Sequence, residues 1–199
     1  MRRFGAILLS LSMLFSLNAW AEEQAPAAQP AAEDGPVQAI QSAIVKLNQL
    51  TAASTYSPQM VGFLVENEVA PLFDFDHIGN EVLLVVNNRL SADEAKYFSN
   101  KLKNNIISTL LQKLSQANST SFQFISARPI MGGAVAVQLR VNGYSPYAIY
   151  LDLLFHKNET RGWQIFDVVL NNDSMTNYYQ KMVLIKARRY GIYGMLGRI

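Results

Sequence analysis

The periodicity of apolar residues changes near Asn118, and that change constrains the fold more than any other feature of the chain. Before it, apolar side chains recur every three or four residues, which predicts amphipathic helices. After it, they alternate or run continuously in short segments between turn formers, which predicts strands. A last helical segment follows the strands. This order predicts an α+β domain with helices packed on one face of a four-stranded, mainly antiparallel sheet.

Capping residues mark where several of these elements begin. Ser57 and Pro58 are placed to start the second helix, and Ser91 with Glu94 forms a capping box at the start of the fourth. Ser174 is placed to cap the last helix. The earlier helices are predicted at 37–47, 58–69, 78–86 and 92–114. The strands are predicted at 122–125, 134–141, 147–156 and 163–170, and Gly191 is predicted to end the last helix.

The N-terminus has the pattern of an export signal. Two arginines precede an apolar run, Phe4–Leu17, and Ala19 and Ala21 form a small-residue cleavage site. We therefore predict a cleaved signal peptide at 1–21 and a periplasmic location. Residues 22–36 are rich in Ala, Pro and acidic residues and are predicted to be a disordered leader. The remainder, 37–199, has a length that suits one domain.

Charge and cysteine content argue against several functional classes. The chain has 17 Lys and Arg, 15 Asp and Glu, and no cysteine. Two of the basic residues lie in the signal peptide and four of the acidic residues in the leader, so the folded part carries 15 basic and 11 acidic side chains. This mild positive charge is far from the dense basic surface of a nucleic-acid-binding protein, so we expect no nucleic-acid partner. Without cysteine we expect no disulfide and no thiolate chemistry.

Two predicted strands carry a continuous apolar face. Alternation places Tyr147, Ile149, Leu151, Leu153 and Phe155 together on the third strand, and Val135, Val137, Leu139 and Val141 together on the second. This face is either ordinary core against the helices or the wall of a ligand pocket. The opposite face of the third strand is also partly apolar, which is more than a one-sided sheet needs.

No residue pattern indicates catalysis or a metal site. His77 and His156 lack the spacing of metal ligands and are interpreted as structural. Asp152 and Asp167 interrupt apolar strands, and each is either a buried general base or a carboxylate satisfied by backbone N–H groups. Ser174 is interpreted as a helix cap rather than a nucleophile.

The last helical segment is basic. Five basic residues and no acidic residue follow Asp173: Lys181, Lys186, Arg188, Arg189 and Arg198. They either meet phosphate headgroups or an acidic partner, or three of them (Lys186, Arg188 and Arg189) compensate the C-terminal dipole of the helix.

Three segments, in the same order, resemble the MlaC family of periplasmic phospholipid carriers, also called toluene-tolerance proteins. The first runs from Ala70 to Leu114 and includes A-P-L-F-D-F-D-H-I-G-N-E-V-L and S-A-D-E-A-K-Y-F. The second is Trp163–Val183, a strand ending in Asp-Val-Val before Ser and a helix, and the third is Gly191–Leu196. The chain departs from the family pattern at Leu84, Asn172 and Gln180, where glycine, glycine and arginine are common.

The resemblance implies a soluble phospholipid carrier with its pocket between the sheet and the helices. It implies no catalytic residue, no metal, and no cofactor other than a bound phospholipid as cargo, and for Asp167 it favours the structural role. We assign lipid contact to sheet residues and to the stripe of the fourth helix: Val137, Leu139, Tyr147, Ile149, Leu151, Leu153, Phe155, Phe98, Leu102, Ile106 and Leu110.

The resemblance also implies partners and a role. These are an outer-membrane lipoprotein–porin complex similar to MlaA, and an inner-membrane MCE-domain protein similar to MlaD in an ABC transporter. Lipid shuttling between them would maintain outer-membrane lipid asymmetry. Two alternatives remain from the residues alone: an enzyme acting on a small apolar substrate on a cone-shaped α+β fold, and a periplasmic protein-interaction module.

Overall fold

The computed structural model describes residues 35–53, 57–86, 90–115, 121–143 and 149–199. The predicted signal peptide lies outside the described residues, as do Tyr147 and all of the predicted leader except its last two residues. The first described helix begins at Pro36.

The described chain forms helices, then strands, then a helix, as the periodicity predicts. The helices are α1 at Pro36–Ala53, α2 at Pro58–Leu64, α3 at Phe75–Leu83, α4 at Ala92–Ser115 and α5 at Met175–Leu196. A π-helical turn at Val65–Val69 and a 3-10 turn at Ala70–Leu72 connect α2 to α3, and further 3-10 turns lie at Leu84–Val86 and Met131–Gly133. The strands are β1 at Ser121–Pro129, β2 at Val135–Asn142, β3 at Ile149–Asn158, β4 at Gly162–Leu170 and β5 at Asp173–Ser174.

The predicted caps are confirmed. The backbone N–H of Ser91 donates to Glu94 Oε2 at 2.7 Å, and the N–H of Glu94 donates to Ser91 Oγ at 3.3 Å, which completes the capping box. Ser57 and Ser174 accept hydrogen bonds from the first turns of α2 and α5. Gly191 interrupts α5 with φ 74° and ψ 168°, but helical structure resumes and continues to Leu196. The prediction that Gly191 stops the helix is therefore confirmed for its first part, 175–190, and a second helical stretch that the sequence did not predict follows it.

The sheet is a meander of five strands in the order β1-β2-β3-β4-β5, and every neighbouring pair is antiparallel. The sequence predicted four strands. The fifth forms because Asn171 and Asn172 adopt positive φ angles of 50° and 66°, which makes the two-residue hairpin turn that asparagine tolerates. Asp173 and Ser174 thereby pair with Leu170 and Val169.

The buried apolar residues form two clusters, which divide the helices between them. The sheet cluster lies between one sheet face and α1, α2, the π-helical turn and the C-terminal half of α4. The helix cluster lies among α3, the N-terminal half of α4 and α5. Gly79 of α3 lies so close to Ser99 of α4 that an added Cβ would overlap the Ser99 hydroxyl. The helices thus cover one sheet face as predicted, and α3 and α5 build a second core with α4.

Candidate functional site

The apolar face predicted for the second and third strands exists, and its members are direct cross-strand neighbours. Val137 pairs with Leu153, Leu139 with Leu151, and Val135 with Phe155. Residues opposite each other across antiparallel strands lie on the same face of the sheet. Val137, Leu139, Leu153 and Phe155 are at most 4% exposed and belong to the sheet cluster. We call this surface the apolar wall.

The apolar wall is not buried uniformly. Leu153 and Phe155 are closed in, whereas Leu151 and Ile149, farther toward the N-terminus of β3, are only partly buried. Leu170, which pairs with Leu151 from the neighbouring strand, is 44% exposed. We call Leu153 and Phe155 the closed end of the wall, and the more exposed Ile149 and Leu151 its open end.

The predicted stripe of α4 is divided between the two clusters. Leu110 packs against the sheet cluster, whereas Phe98, Leu102 and Ile106 belong to the helix cluster. Residues four apart on an α-helix are offset by about 40°, so a stripe at strict four-residue spacing turns by about 120° from Phe98 to Leu110. Ile107, which is 5% exposed, faces the sheet cluster instead. Ile107 lies three residues before Leu110, and this helical spacing is the sequence signal that could have identified it.

The side chain of Asn48, which the sequence analysis did not identify, hydrogen-bonds helix α1 to the edge of the sheet. Asn48 Nδ2 donates to the carbonyl oxygen of Phe122 at 3.0 Å, and the N–H of Phe122 donates to Asn48 Oδ1 at 2.8 Å. This reciprocal pair imitates one step of a β-ladder and satisfies both backbone groups of the edge residue. It fixes α1 over β1 at the open end of the apolar wall, where Phe122 pairs with Val141.

A separate cavity of about 280 Å³ lies between the C-terminal end of α3 and the start of α4. Its lining is Leu83, Val86, Leu90, Ser91, Ala92 and Ala95. Most of these side chains belong to or pack against the helix cluster. The volume is just below the range of about 300–1,000 Å³ typical of ligand pockets, so this cavity is too small for a lipid with two acyl chains.

Asp167 joins the last long strand to the last helix. It is 7% exposed, and its Oδ1 accepts hydrogen bonds from the N–H of Val168 at 2.9 Å and the N–H of Thr176 at 3.0 Å. Its Oδ2 accepts from the hydroxyl of Ser174 at 2.5 Å. The prediction that backbone N–H groups satisfy this carboxylate is confirmed. Asp152, the other strand aspartate, lies 3.7 Å from the guanidinium of Arg128.

The two histidines that appeared isolated in the sequence lie against each other. The rings of His77 and His156 are 4.5 Å apart between centroids, and both contact the ring of Phe166. His156 Nε2 lies 3.1 Å from Asp74 Oδ2, which also accepts from Asn158 Nδ2 at 2.6 Å. The cluster ties the start of α3 to the β3–β4 hairpin.

Asp74 is buried and stays ionised in this cluster. Burial shifts the pKa of a carboxyl group and the pKa of the neighbouring His156 in opposite directions. Burial alone raises the pKa of Asp74, but the hydrogen bonds from the His77 N–H and Asn158, with the charge of Arg161, outweigh it and hold the pKa below 3.8. Burial lowers the pKa of His156 below 6.5, and the charge of His77 adds to this, while Asp74 opposes it. An ionised Asp74 also caps α3 by accepting from the His77 N–H at 3.0 Å.

Two further observations bear on the kind of site. Within the described ranges, no group of three or more His, Cys, Asp or Glu side chains is placed to hold a metal ion. No helix in that part of the chain combines the length and apolar character needed to cross a membrane.

Comparison with known proteins agrees with the fold. A family model described as MlaC protein matches residues 37–198. No curated protein matches the chain in sequence. The solved structure of a phospholipid-binding protein from Ralstonia solanacearum, in complex with a phospholipid, is similar with a TM-score of 0.66 at 16% identity. The similarity covers 81% of this chain and 90% of that chain, and it shows a shared fold.

Proposed function

The chain belongs to the MlaC family, and from that membership and the apolar wall we propose that it binds a phospholipid between the sheet and the helices. The observation that carries the proposal is the wall itself, with its closed end at Leu153 and Phe155 and its open end at Ile149 and Leu151. A structure of the same fold, from Ralstonia solanacearum, is in complex with a phospholipid. That complex supports the choice of ligand.

A binding protein for phospholipid must replace the water-free surroundings that the acyl chains have in a bilayer. Each buried CH₂ group contributes about 0.8 kcal/mol, so a two-chain lipid needs a long apolar contact surface and no catalyst or metal. The apolar wall supplies aliphatic and aromatic contacts on one side. Ile40, Leu47 and Leu50 of α1 supply them on the other.

We assign the acyl chains to the wall and its helix cover, with the headgroup at the open end. The assignment rests on the members of the sheet cluster, Val137, Leu139, Leu151, Leu153, Phe155 and Leu110, and on Ile149, which continues the same face of β3. Phe98, Leu102 and Ile106 would contact lipid where an acyl chain extends into the helix cluster, which requires α4 to shift relative to α3. Tyr147 is proposed as a lipid contact from the sequence alternation alone.

The wider role that we propose is that of a carrier. The chain would be exported by its N-terminal signal at 1–21, with 22–36 as a leader, and would act in the periplasm. There it would move phospholipid between an MlaA-like complex in the outer membrane and an MlaD-like MCE-domain protein of an inner-membrane ABC transporter, and so maintain lipid asymmetry. Family membership supports this assignment.

We propose no catalytic role. The alternative of an enzyme depends most on Asp167, and both of its carboxylate oxygens are engaged in joining β4 to α5. The alternative of a protein-interaction module has no specific observation in the pocket region that favours it.

Lipid content of the purified protein tests the proposal. The protein is exported to a bacterial periplasm, purified without detergent, passed through size exclusion and extracted with organic solvent for lipid mass spectrometry. We expect phospholipid in a fixed ratio to protein. A periplasmic protein of similar size, purified in the same way, sets the background. Background lipid alone in a sample that circular dichroism shows to be folded would contradict the proposal.

A further inference from the structure

Helix α5 presents a solvent-exposed face that combines aromatic, aliphatic and cationic side chains. Tyr178 is 60% exposed and Ile185 is 66% exposed, and Lys181 and Arg188 are also exposed. These positions are spaced three, four and three residues apart, which places them on one side of an α-helix. Arg189 extends the same side. We call these five residues the α5 face.

The α5 face makes few contacts with the structure around it, and the ring of Tyr178 meets the ring of Tyr179 edge-on at 5.2 Å between centroids. Within the described ranges, no ion pair or hydrogen bond engages the side chains of Lys181 or Arg188, and Arg189 lies over the ring of Tyr190 at 5.2 Å. Two other basic residues have a structural task instead. Lys186 donates to the carbonyl oxygen of Arg198, and Arg198 Nη1 donates to the carbonyl oxygen of Gly194 at 2.8 Å.

Each of the two interpretations of the basic segment accounts for part of it. Compensation of the helix C-terminus accounts for Arg198, which bonds the helical carbonyl of Gly194, and Lys186 bonds the carbonyl of Arg198 just beyond the helix end. Arg188 and Arg189 lie within one turn of the break at Gly191, where a cation also complements the helix dipole. This explanation does not account for Lys181 in the second turn of α5 or for the exposed Tyr178 and Ile185. No acidic residue follows Asp173, so the positive charge of the α5 face is not balanced along the helix.

The composition and size of the α5 face fit a particular partner. Tyrosine rings are enriched at the headgroup level of bilayers, and Lys and Arg near an anionic lipid surface are attracted to it. A single aliphatic side chain such as Ile185 can enter the headgroup–acyl boundary. The face is one helix wide, whereas a stable protein–protein interface buries about 1,600 Å² in total with close shape complementarity. A fluid bilayer needs no such complementarity.

We propose that the α5 face docks the protein on a bilayer surface that contains anionic phospholipid. Lys181, Arg188 and Arg189 lie at the phosphate level, and Tyr178 and Ile185 lie at the boundary with the acyl chains. The docked state is peripheral and reversible, because it rests on three cations and two larger side chains. Docking depends on the surface of α5 and not on the bound cargo. It is therefore independent of the proposed binding of a phospholipid between the sheet and the helices.

Vesicle binding tests the proposal. The purified protein is sedimented with vesicles of phosphatidylcholine alone and with vesicles that also contain phosphatidylglycerol, at low and at physiological salt. We expect binding to the anionic vesicles, weaker at higher salt because the screening length falls to about 8 Å, and little binding to the neutral ones. Each cation near the surface contributes about a fivefold factor in affinity. Arg188→Glu with Arg189→Glu is therefore expected to weaken binding at least about 25-fold.

A matched control distinguishes an effect of the α5 face from an effect of the protein's net charge. Lys96→Glu with Lys101→Glu makes the same change of charge at exposed positions of α4, and we expect a much smaller loss. Ile185→Trp adds a reporter whose fluorescence should shift to the blue with anionic vesicles. Lipid content of every variant is measured in parallel, so that a failure of cargo binding is distinguished from a failure of docking.

Several results would overturn the proposal. The protein could bind neutral and anionic vesicles equally, or bind neither. The α4 control could lose as much vesicle affinity as the α5 variant. The emission of the introduced indole could also stay unshifted while Ile185→Trp is bound to vesicles. Binding of the α5 face to an acidic protein in place of vesicles would also overturn it.

Discussion

Replacing Leu151 by Trp tests whether the open end of the apolar wall receives an acyl chain. Leu151 and Leu153 lie on the same strand and the same face, two residues apart, but Leu153 is 4% exposed and Leu151 is only partly buried. The extra volume of Trp at position 151 can extend toward Leu170, which is 44% exposed. We therefore expect Leu151→Trp to fold with nearly unchanged stability and to lose phospholipid, because the indole occupies the entry path.

Leu153→Trp is the matched control, since it makes the same chemical change at the closed end. Overpacking a close-packed site costs about 1–3 kcal/mol. For a domain of this size about 1 kcal/mol lowers the melting temperature by about 2–4 °C, so the expected loss is about 2–12 °C. Lipid content of the folded fraction should fall less for this variant than for Leu151→Trp.

Both variants are compared after removal of lipid, because a bound ligand stabilises the folded state by mass action. Urea unfolding gives the free energy of unfolding, and extraction with mass spectrometry gives the ratio of lipid to protein after reloading. The reasoning is refuted if Leu151→Trp destabilises the protein as much as Leu153→Trp, since the open end would then be ordinary core. It is equally refuted if Leu151→Trp retains full lipid loading.

Three further predictions concern the polar contacts around the pocket. Asp167→Asn should lower the free energy of unfolding in urea by about 1–3 kcal/mol, because the amide cannot accept all the hydrogen bonds of the carboxylate. Lipid loading of the folded variant should persist. Loss of loading at unchanged stability would favour the enzymatic alternative. Because the pKa of His156 lies below 6.5 in the folded state, the unfolded chain binds a proton first, so the free energy of unfolding should fall as the pH drops below that value. His156→Gln should flatten this part of a urea-titration series, and an unchanged slope would count against the assignment. Asn48→Ala should cost about 1–3 kcal/mol by leaving both backbone groups of the edge strand unpaired, whereas Asn67→Ala, at an exposed helical position, should change stability little.

Much of the fold could be predicted because its signals are local. The alternation in β2 and β3 fixes which side chains share a face, and the observed register places Leu139 opposite Leu151 as the alternation requires. The capping box at Ser91 and the cap at Ser174 depend on residues within one turn. Such features are decided by neighbours in sequence, so a single chain reveals them.

The rest depends on contacts between residues far apart in the chain. Asn48 bonds a strand 74 residues away, and Asp74 gathers partners from the β3–β4 hairpin, so neither role has a local signature. The division of the α4 stripe between two cores was also missed. Helical spacing places Phe98 and Leu110 on one apolar stripe of α4. The angle between them separates the two residues because the sheet cluster packs on one side of α4 and the helix cluster, with α5, on another.

The most direct test of lipid binding at the apolar wall is photo-crosslinking with a phospholipid that carries a diazirine near the end of one acyl chain. The delipidated protein is loaded, irradiated and digested, and the labelled peptides are mapped by mass spectrometry. We expect saturable labelling in β2 and β3, centred on Leu139, Leu151 and Leu153, and in α4 near Leu110, with strong reduction by Leu151→Trp. Labelling confined to the exposed surface of α5, or none that saturates, would contradict lipid binding at the apolar wall.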